Sequence, residues 1–343
     1  MGRRTKTAVV IGGGPAGIEA ALRIAQAGHK ALLVEKEPEL GGTLKQLCSS
    51  FPRWEDPQEL LDRKIQELQS CPKATIRTNT VVAAGRPNGN SYILTFSDAR
   101  DGQTDEVVAD AVVLATGFEL MDISIYGEYG YGVYPDVVNA LEFEATLKEW
   151  KLGRGKPPKG VALIKCVGSR DRSKGNPYCS KICCMYTAKQ AGMVKELFPE
   201  AKVYVFYMDY RAAGKHYEEF VREVIEDRHV RYVRGRPAKV LCEEGRLLVR
   251  AEDTLLGLPV EVLVDIVVLA SAVVPRPATR RLAEMFGANT DEYGFIEPDR
   301  FNPVKAAART FFAGGCGFAV ETPLALQQGG AAAANVIALF NLE

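Results

Sequence analysis

The sequence has no excess of charge of either sign, because 43 Lys and Arg residues balance 43 Asp and Glu residues. A neutral chain has no broad attraction to nucleic acid or to an anionic membrane, so we expect neither a nucleic-acid partner nor direct membrane insertion. Three histidines in 343 residues give little support to a histidine acid–base or Ser-His-Asp apparatus. No apolar run approaches the roughly 20 residues that cross a bilayer. We therefore expect a cytoplasmic protein.

Cysteine is also scarce, since eight cysteines in a chain of this length are too few for a disulfide scaffold. Four of them nevertheless fall within residues 166–184, with the spacing C-x12-C-x3-C-C. Four thiolates are what a [4Fe-4S] cluster requires. Structural zinc also accepts four thiolates, although the usual paired C-x2-C knuckles are absent, and unliganded buried thiols are a third alternative. The candidate ligands are Cys166, Cys179, Cys183 and Cys184.

The chain carries one pattern of apolar segments twice. Residues 7–11 read as a strand, 16–27 as a helix and 31–35 as a second strand, which together form a βαβ unit. After the linker GRGKPPKG, residues 161–165 read as a strand and 183–197 as a helix. The sequence therefore predicts an α/β protein with two dinucleotide-binding, Rossmann-like domains.

The second of these domains is predicted to be inserted in the first, because residues 310–339 cannot form a complete sheet of their own. Residues 262–270 (VLVDIVVLA) read as one buried strand that echoes ADAVVLA of the first half. The predicted domains are residues 1–150 and 275–343 for the two parts of the first domain, and residues 151–274 for the inserted one.

A glycine motif, Gly12-x-Gly14-x-x-Gly17, follows the first strand and opens the first helix. Small residues there let the backbone approach a pyrophosphate, and the helix N-terminus supplies amide donors. Glu35 ends the second strand, 18 residues after Gly17, where a ribose hydroxyl needs an acceptor. In the second half, VALIK is followed by Cys166 instead of a glycine motif. We expect the cysteine site to replace the phosphate cradle there.

The segments VVIGGGPAGIEAA, Leu40-Gly41-Gly42 and ADAVVLATG resemble the two-dinucleotide-binding-domain flavoproteins, in which this half binds FAD. The segment TFFAGGCGFAVETPLALQQGGAAAANVI is similar to the closing flavin motif of that family, except that its usual Gly-Asp is Gly314-Gly315. The resemblance implies a site of several parts. The pyrophosphate would lie on Gly12, Gly14, Pro15, Ala16 and Gly17, the ribose by Glu35 and Lys36, and the adenine by Val81. Gly42 and Thr43 would lie beside the phosphates and flavin, Ala115, Thr116 and Gly117 would close the site, Gly315 and Cys316 would meet the ribityl chain, and Thr322 and Pro323 the ring.

The segment KCVGSRDRSKGNPYCSKICCMYTAKQA looks like the cluster motif of HdrA, the A-type component of heterodisulfide reductase. YGYGVYPDVVNALEFEATL is similar to a linker of the same family. The resemblance implies that the four cysteines bind a [4Fe-4S] cluster and that Lys189 lies near the flavin as a cation able to stabilise its reduced form. A solvated lysine on a helix face is the alternative.

No ferredoxin-type C-x2-C-x2-C-x3-C run is present, so the compact outline resembles the short HdrA-like proteins of sulfur-oxidising bacteria. That resemblance implies an electron-transfer oxidoreductase that is one part of a heterodisulfide reductase-like complex, with B- and C-like subunits and lipoate-binding proteins as partners, and a homodimer. A quinone-linked protein of sulfate reduction is one alternative. Another is a stand-alone NAD(P)H-dependent disulfide reductase, which predicts a second glycine fingerprint and a redox disulfide. A non-redox scaffold with structural zinc is the third.

Overall fold

The computed structural model describes residues 5–343, and none of the helices in that range has the length and apolar character needed to span a membrane. The chain divides into two compact units. The first contains the chain up to Lys45, Gln58–Glu119 and Val274–Glu343, and the second contains Gln46–Pro57 and Leu120–Val273.

Seven α-helices and three short 3-10 turns occur within residues 5–343. The 3-10 turns are Gly42–Gln46, Gly127–Tyr129 and Gly314–Cys316. The α-helices are α1 Pro15–Gln26, α2 Pro57–Gln69, α3 Ala140–Lys151, α4 Cys183–Leu197, α5 Tyr217–Glu226, α6 Pro277–Met285 and α7 Thr322–Leu342.

Eighteen strands occur in the same described range. The first eight are β1 Thr7–Ile11, β2 Lys30–Val34, β3 Ala74–Arg77, β4 Thr80–Asn88, β5 Ser91–Asp98, β6 Thr104–Ala109, β7 Ala111–Leu114 and β8 Phe118–Leu120. The others are β9 Val137–Asn139, β10 Gly160–Val167, β11 Lys202–Tyr207, β12 Arg231–Arg234, β13 Lys239–Glu243, β14 Arg246–Asp253, β15 Leu258–Val264, β16 Ile266–Ser271, β17 Val273–Pro275 and β18 Thr310–Phe312.

The first unit is built on a parallel sheet with strand order β18-β7-β1-β2-β3. Its central strands are continuous apolar runs, as expected for a parallel sheet covered on both faces. α1 begins at Pro15, where the fixed φ of proline suits the first helical position. α7 packs against α1 so closely that a Cβ atom at Gly329 would lie 2.4 Å from the carbonyl oxygen of Ala16. A separate antiparallel sheet, β4-β5-β6, completes this unit.

The second unit repeats the plan with a parallel sheet of order β12-β11-β10-β16-β9 and an antiparallel sheet β13-β14-β15. Every residue of β10 is buried. α3, α4 and α5 pack on one another, and their apolar faces join the sheet in one hydrophobic core. The predicted α/β class with two Rossmann-like domains, one inserted in the other, is confirmed, and α4 has the predicted bounds.

One aspartate interrupts the predicted strand at the equivalent point of each unit. Asp110 separates β6 from β7, and its Oδ2 accepts a hydrogen bond from the amide of Thr7 at 2.8 Å. Asp265 separates β15 from β16, and its Oδ2 accepts one from the amide of Gly160 at 2.9 Å. The prediction of one continuous strand over 262–270 is therefore wrong, because the chain changes sheets at Asp265. The two aspartates also support the internal repeat, since each fixes the start of its unit's central strand.

The predicted domain boundary at residue 150 differs from the division in the structure. The second unit already begins at Leu120, and it also contains Gln46–Pro57. The physical reason is strand pairing, since Val137 to Asn139 forms the edge strand β9 against β16. α3, which follows directly, buries Phe143 and Leu147 in the core of the same unit. Neither contact is encoded locally in the sequence.

Candidate functional site

The turn between β1 and α1 leaves no room for side chains. A Cβ atom at Gly17 would lie 1.9 Å from the carbonyl oxygen of Gly12. One at Gly12, where φ is +114°, would lie 2.2 Å from the carbonyl oxygen of Ala115. Apart from sequence neighbours, no atom of residues 5–343 comes within 4 Å of a Cβ built at Gly14. The first amides of α1 can therefore be approached closely by an anionic group such as a pyrophosphate.

The Glu35 carboxylate is held beside this turn. Its Oε2 accepts a hydrogen bond from the amide of Gly13 at 2.6 Å, and its Oε1 accepts one from the amide of Glu37 at 2.9 Å. Each oxygen keeps a second lone pair that can accept from a ribose hydroxyl. The Lys36 side chain is 54% exposed and its ammonium lies 3.3 Å from Glu37. Val81, on β4, is 37% exposed.

Two further segments of the first unit border the glycine turn. A Cβ atom at Gly42 would lie 3.2 Å from the Cα atom of Gly14, so the 3-10 turn that carries Gly42 and Thr43 begins against it. After β7, the hydroxyls of Thr116 and Thr279 lie 2.8 Å apart. The predicted residues at the carboxyl ends of the parallel strands are Gly12, Gly14, Gly17, Glu35, Ala115, Thr116, Gly117, Gly315 and Cys316. That end of a parallel sheet is where this fold class binds its ligands.

The segment after β18 presents its backbone, because its side chains are turned elsewhere or are missing. A Cβ atom at Gly315 would lie 2.4 Å from the ring of Phe118. The Cys316 thiol is buried and donates within 3.3 Å of the carbonyl oxygens of Ala313 and Leu114. Burial raises the pKa of Cys316 to about 11, so it remains a protonated thiol. Thr322 and Pro323 form the first turn of α7.

The four clustered cysteines surround the connection from β10 to α4 in the second unit. Cys166 lies near the end of β10 with a left-handed φ of 61°, at a shift in strand register. Cys183 and Cys184 are the first two residues of α4. These three cysteines are 4%, 1% and 4% exposed, whereas Cys179 is half-buried. The adjacent pair is thus accommodated by a helix N-terminus.

The three buried sulfurs lie in hydrogen-bonding contact, with Cys183 between the other two. Its thiol holds the pKa of Cys184 down to about 5 and also lowers the pKa of Cys166. The pKa of Cys183 itself is raised well above the usual value by the same contacts and by burial. The arrangement therefore favours negative charge on Cys184 and Cys166.

Positive charge and backbone donors compensate this sulfur cluster. The amide of Arg211 donates to Sγ of Cys184 at 3.2 Å, and the amide of Lys181 donates to Sγ of Cys179 at 3.4 Å. Lys165 is only 3% exposed, and its ammonium contacts the Cys184 sulfur. These groups make the pocket suitable for a centre with several thiolate ligands.

Within residues 5–343, no three His, Cys, Asp or Glu side chains are spaced as a ready-made site for a metal ion. The chemistry of the donor set still fits an iron–sulfur cluster, because four cysteines, two amide donors to sulfur and a buried cation share one loop. A cluster occupies the space between its cysteine sulfurs. Binding would therefore require Cys166, Cys183 and Cys184 to move apart.

Lys189 forms a buried ion pair in the second unit, so the alternative of a solvated lysine is wrong. Its ammonium lies 2.6 Å from Oε1 of Glu144, and both residues are 1% exposed. The ammonium also donates to the carbonyl oxygen of Ser49 at 3.1 Å. Gln190 donates to the same Oε1 at 2.6 Å, and the amide of Cys48 donates to Oε2 at 2.9 Å.

Glu144 was not anticipated from the sequence, although a signal existed. It lies on the α3 face that buries Ala140, Phe143 and Leu147, where a carboxylate requires a partner. Cys48, predicted to be a buried thiol, is 4% exposed, and burial raises its pKa to about 11.

Comparison with known proteins relates the chain to flavin-dependent reductases. A family model described as pyridine nucleotide-disulphide oxidoreductase matches residues 6–164. A curated relative, the second A-type iron-sulfur component of CoB–CoM heterodisulfide reductase in Methanopyrus kandleri, is 32% identical over 96% of this chain and 64% of its own length. The A-type component of the ferredoxin/F420H2-dependent CoB–CoM heterodisulfide reductase in Methanosarcina acetivorans is 30% identical over 98% of this chain and 54% of its own length. The chain thus spans between about half and two thirds of these relatives.

Solved structures share the fold at lower identity. The thioredoxin reductase of T. acidophilum matches with a TM-score of 0.67 at 16% identity, covering 98% of both chains. That of Lactococcus lactis matches with a TM-score of 0.65 at 17% identity, covering 99% of this chain and 100% of its own.

Proposed function

Because the chain belongs to the HdrA family of heterodisulfide reductase components, we propose that it is an electron-transfer oxidoreductase subunit with two redox groups. FAD would bind in the first unit and a [4Fe-4S] cluster in the second. One observation carries the proposal. Each unit has a ligand-competent segment after the central strand of its parallel sheet, a glycine turn after β1 and a cysteine loop after β10.

The residues of the first unit supply binding and orientation. The amides at the start of α1 would hold the pyrophosphate, and Glu35 would accept from the adenosine ribose. The backbone at Gly315 and Cys316 would meet the ribityl chain, because no carboxylate follows Gly314. The remaining proposed contacts are Pro15, Lys36, Gly42, Thr43, Val81, Ala115, Thr116, Gly117, Thr322 and Pro323.

The residues of the second unit would bind the cluster and offset its charge. Cys166, Cys179, Cys183 and Cys184 are the proposed ligands, and Lys165 and the amide of Arg211 lie against the Cys184 sulfur. When bound, a flavin exchanges electrons in pairs and an iron–sulfur cluster exchanges them singly. The chain itself needs no nucleophilic side chain for such transfer.

Lys189 was predicted to provide positive charge near the flavin. Its ammonium is balanced by Glu144 at 2.6 Å, so the pair is neutral as a whole. A role for Lys189 at the flavin therefore remains a prediction, and it would require the pair to be polarised or broken.

The partners follow from the family and are proposed with it. We propose B- and C-like heterodisulfide reductase subunits and lipoate-binding proteins as partners, in the oxidation of sulfur compounds, with the chain acting as a homodimer. A quinone-linked role in sulfate reduction would use the same two redox groups. The partners would then distinguish the two roles.

Anaerobic purification and cofactor analysis test the proposal. We expect one FAD, about four irons and about four acid-labile sulfides per chain. Cys166→Ser should lose iron and sulfide but keep FAD, whereas Cys71→Ser, which alters a half-buried cysteine of the first unit, should keep both. Zinc without sulfide would overturn the iron–sulfur assignment and favour the scaffold alternative.

Reduction by NADH separates the remaining alternative. A stand-alone NAD(P)H-dependent disulfide reductase would bleach the flavin rapidly and would reduce a disulfide substrate without any partner. We expect slow or absent flavin reduction by NADH in a stopped-flow experiment, since the cysteine loop replaces the second glycine motif. Rapid saturable reduction would overturn this assignment.

A further inference from the structure

Two tyrosine hydroxyls of the second unit are enclosed without a hydrogen-bond partner. Tyr186 lies on α4 and Tyr232 on β12. Each hydroxyl oxygen exposes less than 1 Å² and has no partner among the described residues. Buried hydroxyls in native proteins nearly always have a partner, and leaving one without any is destabilising. Two such groups in one unit therefore require an explanation.

Both hydroxyls lie within electrostatic reach of the clustered cysteines. Tyr186 follows Cys183 by three residues, which places the two on the same face of α4. Burial raises the pKa of Tyr186 first, and negative charge on Cys183, Cys166 and Cys184 raises it further. Burial likewise raises the pKa of Tyr232, with Cys184 as the next contribution. Both groups therefore stay protonated and able to donate.

Other tyrosines of the same unit have partners. The hydroxyl of Tyr178 donates to the carbonyl oxygen of Val273 at 2.9 Å, and that of Tyr129 donates to the carbonyl oxygen of Pro237 at 3.2 Å. The hydroxyl of Tyr204 accepts from Arg231 at 3.3 Å. Lack of a partner is thus not a general property of tyrosines in this unit. It occurs at the two that sense the cysteine charges.

We propose that the hydroxyls of Tyr186 and Tyr232 donate hydrogen bonds to sulfur atoms of the iron–sulfur cluster and thereby raise its reduction potential. This inference rests on the proposed function, because it assumes that the cysteines hold a cluster. Adding an electron increases the negative charge on the cluster sulfurs, so a donor stabilises the reduced form more than the oxidised form. The tyrosines are positioning and tuning residues and would not be ligands.

The test is a potentiometric titration of the holoprotein followed by electron paramagnetic resonance. Tyr186→Phe and Tyr232→Phe remove only the hydroxyls. Tyr204→Phe is the matched control, since its hydroxyl has another partner. We expect each single variant to lower the ratio of reduced to oxidised cluster at a fixed potential by about threefold, and the double variant by about tenfold. A tenfold change corresponds to about 59 mV for a one-electron couple. The control should titrate like the wild type.

A second readout tests the contact itself. After exchange into D2O, pulsed resonance spectra of the wild type should show deuterons coupled to the cluster, and each Phe variant should lose one such coupling. If one variant fails to keep its cluster, the other still tests the proposal. Wild-type protein with a cluster, but with unchanged potentials and couplings in both variants, would overturn this inference alone. Wild-type protein without iron and sulfide would instead overturn the proposed function.

Discussion

Replacing Glu144 by glutamine should destabilise the second unit strongly. The substitution keeps the shape of the side chain but removes the charge that balances Lys189. Oε1 of Glu144 accepts hydrogen bonds from Lys189 and from Gln190, each at 2.6 Å, and Oε2 accepts one from the amide of Cys48 at 2.9 Å. A glutamine must turn its NH2 group toward at least one of these donors. It also leaves a buried ammonium without a counter-charge.

Burial sets the magnitude of this loss. Glu144 and Lys189 are both 1% exposed, so water cannot replace the missing partner. Removing one member of a buried ion pair costs about 3–5 kcal/mol. Domains are stabilised by about 5–15 kcal/mol in total, so a third or more of the stability is at stake. Removing both charges in Glu144→Gln/Lys189→Met should recover about 2 kcal/mol or more of the loss.

Tryptophan fluorescence provides an assay specific to this unit. The chain has two tryptophans, and both Trp54 and Trp150 lie in the second unit and pack in its main hydrophobic cluster. Urea unfolding followed by fluorescence therefore reports on the unit that contains the pair. The free energy of unfolding is obtained from the midpoint and slope of each transition.

Glu149→Gln is the matched control, because Glu149 lies on the same helix but is exposed. Its carboxylate is 3.7 Å from Arg154, with side-chain exposures of 54% and 68%. Such a pair contributes little, so the control should stay within about 0.5 kcal/mol of the wild type. Equal losses for Glu144→Gln and Glu149→Gln would refute the buried pair. A double variant that lost the full sum of the two single losses would refute the coupling.

Two other substitutions test the first site and the acid stability. Gly17→Ala should abolish FAD retention, because its Cβ atom would lie 1.9 Å from the carbonyl oxygen of Gly12. Gly330→Ala, on a helix with open space around the new Cβ atom, should retain FAD and gain up to about 1 kcal/mol; equal FAD content in the two variants would contradict the cradle. Hydrogen bonds from Ser173 hold the pKa of Asp171 below its usual 3.8, so its contribution is present above that pH and lost as the pH falls. The stability difference between wild type and Asp171→Asn should therefore be constant above about pH 5 and shrink in more acidic buffer, and a difference that grew on acidification would contradict it.

Local signals in the sequence were sufficient for the fold class and for the elements next to the glycine motif. Apolar strands, the glycine turn and Pro15 determine β1, α1 and β2 through contacts close in sequence. The helix α4 was predictable with its bounds for the same reason. In each case, periodicity and end signals acted together.

The remaining features depend on contacts between distant residues. The second unit begins at Leu120 because β9 pairs with β16, more than a hundred residues later in the chain. The strand predicted over 74–82 breaks into β3 and β4 at Asn79, which adopts a left-handed φ of 50°. Lys189 looked like a surface residue because its partner Glu144 lies on another helix. A sequence pattern cannot show which side chain meets a buried charge.

The two units use the same electrostatic feature for different chemistry. In each, a helix follows the central strand of a parallel sheet, and its N-terminus carries partial positive charge. In the first unit, residues 12–14 link β1 to α1, so glycines bring the helix amides close to a pyrophosphate. In the second unit, residues 168–182 link β10 to α4, which gives the chain room to bring Cys179 round. Cys183 and Cys184 then begin the helix itself, where the same partial charge stabilises thiolates. Lengthening one connection thus suffices to turn a phosphate-binding turn into a sulfur-rich one without altering the sheet beneath it.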